Sequence, residues 1–285
     1  MSPAKRSKKE MTNEEVGVVL PMKRLVLHMV TILIIGLVPD YFIVVFYLWL
    51  VSITPDLLLF KVAWFIAAPL LFWALYFVYW GFTVIMTHVF LAYYDRRSPA
   101  EVDIVIKRQF KDKALPDYKK LHYYHMRGAV VKYSLWITAK CPIPSLLKRV
   151  LNYYGHNSIA SNVIYENLYP GLEFTEIKDN AIMENGSTLS THVVESLYGN
   201  LVIGKVVLGE NSVVGINTVI GPGITLADNC QVGDNCMTFQ NWPLVPSEPG
   251  CGAFFNGSPA KCSDLDKMFA DGTIKDRYME ATHKS

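Results

Sequence analysis

The chain is poor in several features that would have directed its function. Its five cysteines form no metal-binding pattern. Cys141, Cys251 and Cys262 lack ligand spacing, and Cys230 and Cys236 fall on a repeat where core packing accounts for both. Nothing in so few thiols calls for disulfides on a cytoplasmic side. Charge is nearly balanced at +2, and no basic stripe is interleaved with aromatics, so a nucleic-acid partner is not expected. Histidine is scarce, with seven in all; His192 stands alone between His156 and His283.

Full charges almost vanish between Leu25 and Tyr94, where only Asp40, Asp56 and Lys61 occur. The break at Thr54-Pro55-Asp56 divides this stretch into Leu25–Ile53 and Leu57–Tyr94. Each exceeds the roughly 20 residues that cross a bilayer, so tilt or a kink near Pro39 and Pro69 is expected. A cleaved signal peptide is a poor alternative, because the apolar region is too long and no small-residue cleavage site follows it. Lys5, Arg6, Lys8, Lys9, Lys23 and Arg24 precede the first span, and Arg96, Arg97, Lys107 and Arg108 follow the second. Both termini are therefore expected on the cytoplasmic side of an integral membrane protein. Asp40 has two readings, an intramembrane functional carboxylate or a hydrated residue where the helix breaks at Pro39.

From Asp95 to Asp117 the chain turns polar. From Arg127 to Leu151 it is apolar in short pieces separated by Lys132, Lys140, Lys148 and Arg149. This pattern predicts amphipathic helices on the membrane surface or against the following domain. A third span would bury Lys132 and Lys140 at high cost.

A different periodicity follows. An aliphatic residue recurs every six positions at Val202, Leu208, Val214, Ile220, Leu226 and Val232. Small or β-branched residues (Val206, Ser212, Thr218, Ile224, Cys230) stand two places earlier. Six fits neither helix nor simple strand, but it fits a solenoid with three short sides per coil. An earlier ladder, Ile177, Met183 and Leu189, runs out of phase with the later one. Extra residues, Thr191 to Asn200, therefore interrupt a coil. A loop on a rigid scaffold is a common seat of function, and it carries His192.

The stretch Leu189–Glu195 (LSTHVVE), the ladder and Asn256-Gly257-Ser258-Pro259-Ala260-Lys261 together resemble the hexapeptide-repeat acyltransferases. The spans, the segment ending LLKRVLNYYGHNSI and the THxxE loop resemble most closely the membrane-anchored C-terminal modules of polylysine-synthetase-like nonribosomal peptide synthetases. The resemblance implies an N-terminal transmembrane α-helical hairpin plus amphipathic helices, followed by a left-handed parallel β-helix. The expected domains are 1–24 (basic tail), 25–94 (hairpin), 95–156 (linker and surface helices), 157–261 (β-helix) and 262–285 (tail).

By the same resemblance, His192 is the general base and Glu195 orients it, with Glu184 a competitor for the second role. Lys261 and Gly257 are expected to contact acetyl-CoA or another acyl thioester, CoA- or carrier-bound. The acceptor is expected to be an amine or hydroxyl, the assembly a homotrimer, and no metal is expected. Since no adenylation or carrier domain precedes the spans, the activated acyl group is expected from another molecule. Ser196 and Leu197 depart from the usual acid and base after the loop glutamate, which leaves open a non-catalytic scaffold. A zinc carbonic-anhydrase-like site would need three ligands, and only His192 and His156 offer themselves.

Overall fold

The computed structural model describes residues 22–107, 114–165, 171–194, 200–241, 244 and 253–262. The chain divides into two compact units. The first contains Met1–Ala100, Ile106–Val150 and Ser196–Asn200, and the second contains Glu101–Val105, Leu151–Glu195 and Leu201–Ser285.

In the first unit α1 (Met22–Ile53) and α2 (Leu58–Arg97) form a hairpin. The chain breaks where Pro55 removes a backbone donor, and Lys61 pairs with Asp56 just beyond the turn. Both helices are long and apolar enough to cross a membrane, with mean hydropathy 2.4 and 2.0. Two expectations are corrected. The first helix continues through Pro39, so Asp40 is not freed by a break. Its Oδ1 is instead buried with no hydrogen-bond partner among the described residues.

The expected string of short surface helices is, over most of its length, one helix, α3 (Pro116–Ala139). Pro142 and Pro144 end it, and α4 (Ser145–Tyr153) follows. α3 runs antiparallel to the second half of α2. Tyr76 Oη donates to the Ile137 carbonyl at 2.8 Å and Trp80 Nε1 to Thr138 Oγ1 at 2.9 Å. The Tyr79 and Tyr133 hydroxyls meet at 2.5 Å. Leu121, Val130, Val131 and Leu135 are fully buried along α3, while Lys132 and Lys140 are exposed. One face carries the packing, so the lysines between the apolar pieces mark the opposite face rather than separate helices.

The second unit is a parallel β-helix with three sides. Side one stacks β2 (Ser158–Ile159), β4 (Thr175–Ile177), β9 (Val206–Leu208) and β12 (Thr225–Leu226). Side two stacks β3 (Ile164–Tyr165), β5 (Ile182–Met183), β10 (Val213–Val214), β13 (Gln231–Val232) and β14 (Phe254–Asn256), and β15 (Lys261–Cys262) closes it antiparallel. Side three pairs β6 (Thr188–Leu189) with β11 (Val219–Ile220), and Met237 continues it.

The two ladders of the sequence lie on top of each other: Ile177 on Leu208, Met183 on Val214, Leu189 on Ile220. All six are at most 4% exposed, so they form the core. Ser212, Thr218, Ile224, Cys230 and Cys236 fill the space beside them, each at most 2% exposed. Burial pushes the Cys230 and Cys236 thiols up from their ordinary range, which keeps them neutral and inert.

Most described corners turn on a residue of positive φ, asparagine or glycine at nearly all of them and Phe174 (φ 59°) at one. Asn180, Asn211 and Asn229 take φ of 55–58° at the first corner. Their side chains form a ladder with Asn162, linked by amide hydrogen bonds of 2.6–3.1 Å. Above the first coil, Asn152 donates to the Ile159 carbonyl and accepts from its N–H, both at 2.8 Å.

Candidate functional site

Strand partners on side two stand 18 residues apart from Val213 to Gln231, but 31 apart from Ile182 to Val213. One coil is therefore longer by 13 residues. The register dates the departure to a single position. Val219 pairs with Thr188 and with Met237, so His192 occupies the corner place held in the next two coils by Gly223 and Asn241. Those residues turn the chain with φ of 74° and 53°. His192, followed by two β-branched valines, stays extended instead. The chain leaves the coil as β7 (His192–Val194), returns as β8 (Leu201–Ile203), and the two pair antiparallel.

The insertion is thus His192–Gly204. It begins one residue later than the sequence suggested and ends four later. Val202 belongs to the hairpin, with its six-residue spacing to Leu208 fortuitous; the regular coil resumes at Val206. At the root, the Gly204 N–H donates to the Thr191 carbonyl at 2.9 Å. A Cβ on Gly204 would lie 2.4 Å from the Gly223 nitrogen, so glycine is required by close approach. Lys205 donates from its N–H to Asp103 Oδ1 at 3.1 Å and from Nζ to Glu176 Oε2 at 2.5 Å, which fixes the return.

The hairpin is asymmetric. β8 lies between β7 and β1 (Ile104–Ile106) and is buried, whereas β7 is an exposed edge strand. His192 stands on that edge, its carbonyl accepting from Ser190 Oγ at 2.6 Å. Val193 and Val194 beside it are 37% and 41% exposed, and Met237 and Phe239 are 42% and 52% exposed. Such apolar exposure next to a polar group suits a surface that meets something.

Of the other expected site residues, Glu195 lies outside the described residues. Glu184 follows β5 at the far end of side three from His192 and does not share its corner. Gly257 sits in the closing turn at φ 96°. Its N–H donates to Asn256 Oδ1 at 2.8 Å, and its carbonyl accepts from the Met237 N–H at 3.2 Å. Lys261 is exposed on β15. Three strand spacings separate the hairpin's coil from the closing turn, about 14 Å along the axis. Within one chain, His192 and the Gly257–Lys261 segment therefore share the molecule but not a contact.

The structure adds a pair that the sequence reading passed over. His156 Nδ1 lies 3.3 Å from Glu173 Oε1, with the two side chains 19% and 7% exposed. Its ring stacks on Phe174, and its carbonyl accepts from the Phe174 N–H. By register His156 lies on the same corner column as Lys205, two rows above the hairpin's root. Seventeen residues of sequence separate histidine from carboxylate, so only the coil repeat of 18 could have suggested that they meet. Among the described residues no three His, Cys, Asp or Glu side chains gather to hold a metal ion.

No protein-family model matches the chain, and no curated protein matches it. Solved structures do. A variant of AntD, an N-acyltransferase from Bacillus cereus in complex with dTDP-4-amino-4,6-dideoxyglucose and coenzyme A, is 18% identical, with 42% of this chain covering 71% of that one at a TM-score of 0.31. Serine acetyltransferase from Brucella abortus is 13% identical over 65% of this chain and 57% of that one, at 0.32. The hexapeptide-repeat acetyltransferase VCA0836 from Vibrio cholerae is 14% identical over 51% and 92%, also at 0.32.

Proposed function

We propose that the chain is a membrane-anchored acyltransferase of the hexapeptide-repeat, left-handed β-helix type. It moves an acyl or aminoacyl group from a thioester to an amine or hydroxyl. The observation that carries this reading is His192 at a corner where the coil fails to turn, presented on an exposed edge strand above a rigid prism. An acceptor attacking a thioester must lose a proton, and a neutral imidazole is a side chain suited to take it. Glu195, three residues on in the THxxE loop, is assigned the orienting role a carboxylate plays in a triad.

Gly257 and Lys261 belong to the donor end of the site. Their distance from His192 is of the order an extended phosphopantetheine arm spans, which suits acetyl-CoA or a carrier-bound thioester lying along side three. The exposed Val193, Val194, Met237 and Phe239 support closure of that side by another copy, as in a homotrimer. The α1–α2 hairpin is the anchor, with both termini and the β-helix on the cytoplasmic side and the lipid bilayer as a permanent partner.

The test pairs purified protein with acetyl-CoA, aminoacyl thioesters and a panel of amines, and measures thioester consumption. His192→Ala is expected to lower transfer by about 10²–10⁴-fold with thermal unfolding unchanged. Unchanged turnover would remove His192 from the mechanism. A second reading has its own observation: the His156–Glu173 pair is a histidine already held by a buried carboxylate. If His156→Ala abolishes transfer while His192→Ala does not, the base is His156. If no thioester is consumed under any pairing, the Ser196-Leu197 departure marks a scaffold.

A further inference from the structure

α3 covers only part of the hairpin. Its first turns lie at the outer end, where α1 begins and α2 ends: Tyr123 meets Tyr94 at 5.9 Å, and His28 of α1 reaches the Tyr94 hydroxyl. Its last turn lies beside Tyr76, whose hydroxyl donates to the Ile137 carbonyl at 2.8 Å. From Leu58 to Ala74 every residue of α2 is exposed except Trp64, Ala67 and Leu71. These three share one face, and Trp64 packs on Tyr47 of α1. The first buried residue of α2 is Thr83. Beyond it the interior holds polar side chains, with Thr83, Thr87, Ser134 and Thr138 at most 2% exposed.

The uncovered part has the thickness of a hydrocarbon core. Leu58 to Tyr76 rises about 27 Å along α2, against roughly 30 Å for the core of a bilayer. On α1 the same level falls near Gly36, which lies too close to Tyr79 for a Cβ. Rings with a polar edge gather there. Trp73 meets Tyr76 at 5.9 Å, and Tyr133 stacks on Trp136 at 6.2 Å. Such rings concentrate where hydrocarbon gives way to headgroups. Lys132, Trp136 and Lys140 stand four residues apart and are all exposed, so one stripe of α3 carries an indole between two cations. The turn that follows leaves Ile143 45% exposed. Between Asp117 and Glu166 the chain has no acidic residue.

We propose that Lys132, Trp136, Lys140 and Ile143 form a collar that binds the headgroup layer of an anionic bilayer and sets the depth of the anchor. The proposal rests on the anchor reading and goes beyond it, because it ends the hydrocarbon at Tyr76 rather than at Tyr94. Charge decides between the two levels. With hydrocarbon as far as Tyr94, Lys132 and Lys140 would stand exposed within it at high cost. With the boundary at Tyr76, both ammonium groups reach lipid phosphates while their stems and the Trp136 indole rest on the acyl chains. Ile143 supplies an apolar contact at the same level. A basic segment free of carboxylates is complementary in sign to anionic headgroups. The outer half of α2 and the length of α3 then form a helical stalk above the lipid, which fits its buried polar side chains.

The experiment places the full chain in nanodiscs of phosphatidylglycerol and phosphatidylcholine. The photocrosslinker p-benzoylphenylalanine is introduced singly at Phe65, Ile143 or Val89, and lipid adducts are read by mass spectrometry. Adducts are expected at Phe65 and Ile143. Val89 is exposed on α2 about 20 Å beyond Tyr76 and should give none. Adducts at Val89 as abundant as at Ile143 would carry the hydrocarbon toward Tyr94 and overturn the collar. In detergent, native mass spectrometry compares retention of phosphatidylglycerol and phosphatidylcholine. Lys132→Gln and Lys140→Gln should each lower the preference for phosphatidylglycerol about fivefold at unchanged helical circular dichroism. Lys23→Gln, at the outer end, should leave it intact, and an equal loss there would overturn the placement. Adducts at Phe65 without any at Ile143 leave the anchor standing and sink the collar alone. If Phe65 also gives none, the anchor reading itself fails.

Discussion

The corner residues of the coil decide where this chain can turn. An L-residue in the left-handed region costs roughly 1–2 kcal/mol, and asparagine tolerates that region because its short amide bonds locally. Asn211 adds a second contribution, since its amide links Asn180 to Asn229 at 3.1 Å on each side. Asn211→Val is expected to destabilise the β-helix by about 1–2 kcal/mol through the backbone alone, and by more with the ladder cut. Asn211→Gly should lose only the ladder. Chemical denaturation of both variants separates the two contributions, and equal losses would assign everything to the amide. Gly204 presents a different constraint, because a methyl there meets backbone 2.4 Å away. Gly204→Ala should cost about 1–3 kcal/mol by overpacking and reduce transfer by displacing the hairpin root. A stable, fully active variant would show that the root gives way freely.

Among the elements, the hairpin is the departure that matters, and it was only partly legible. The phase jump between Leu189 and Leu208 is visible in the sequence because the core ladder is strict on both sides of it. Its limits were not. Val202 falls by chance in phase with Leu208, and a pattern of apolar residues cannot tell a coil rung from a hairpin strand buried between β7 and β1. A sharper signal was present in the corner residues. Asparagine or glycine recurs every six positions from Asn211 to Asn241, at Asn217, Gly223, Asn229 and Asn235, and His192 stands where that series requires one of them.

This register yields a direct test. Excising His192–Gly204 leaves Lys205 in the corner place that Gly223 holds in the next coil, so the excision combined with Lys205→Asn should give a folded β-helix without the hairpin and with no transfer activity. Circular dichroism with the thioester assay checks both halves. Retained activity would locate the chemistry away from the hairpin. The α3 helix was misread for a related reason: charged residues between apolar pieces look like interruptions until a partner helix shows that they share one outward face.

For the whole molecule, composition separates an apolar helical unit from a β-helical one, and the distribution of basic residues is the ground for proposing that both ends of the hairpin lie on one side of a bilayer. Asn185 heads an Asn-Gly-Ser acceptor sequence and is exposed on a turn of the β-helix. Expression with microsomes should leave it unmodified, while an acceptor sequence engineered into the Thr54–Leu57 turn should receive glycan. Glycan on Asn185 would place the β-helix on the opposite side from the one proposed. The hairpin length, the six-residue period, the core ladder and the isolation of His192 were determined by the sequence alone, because each follows from local spacing of apolar and charged residues. Tertiary structure alone decided the extent of the insertion, the approach of Gly204 to Gly223, and the His156–Glu173 and His28–Tyr94 pairs. These bring together residues 17 to 66 positions apart, and their meeting depends on how coils stack and helices pack rather than on any pattern along the chain.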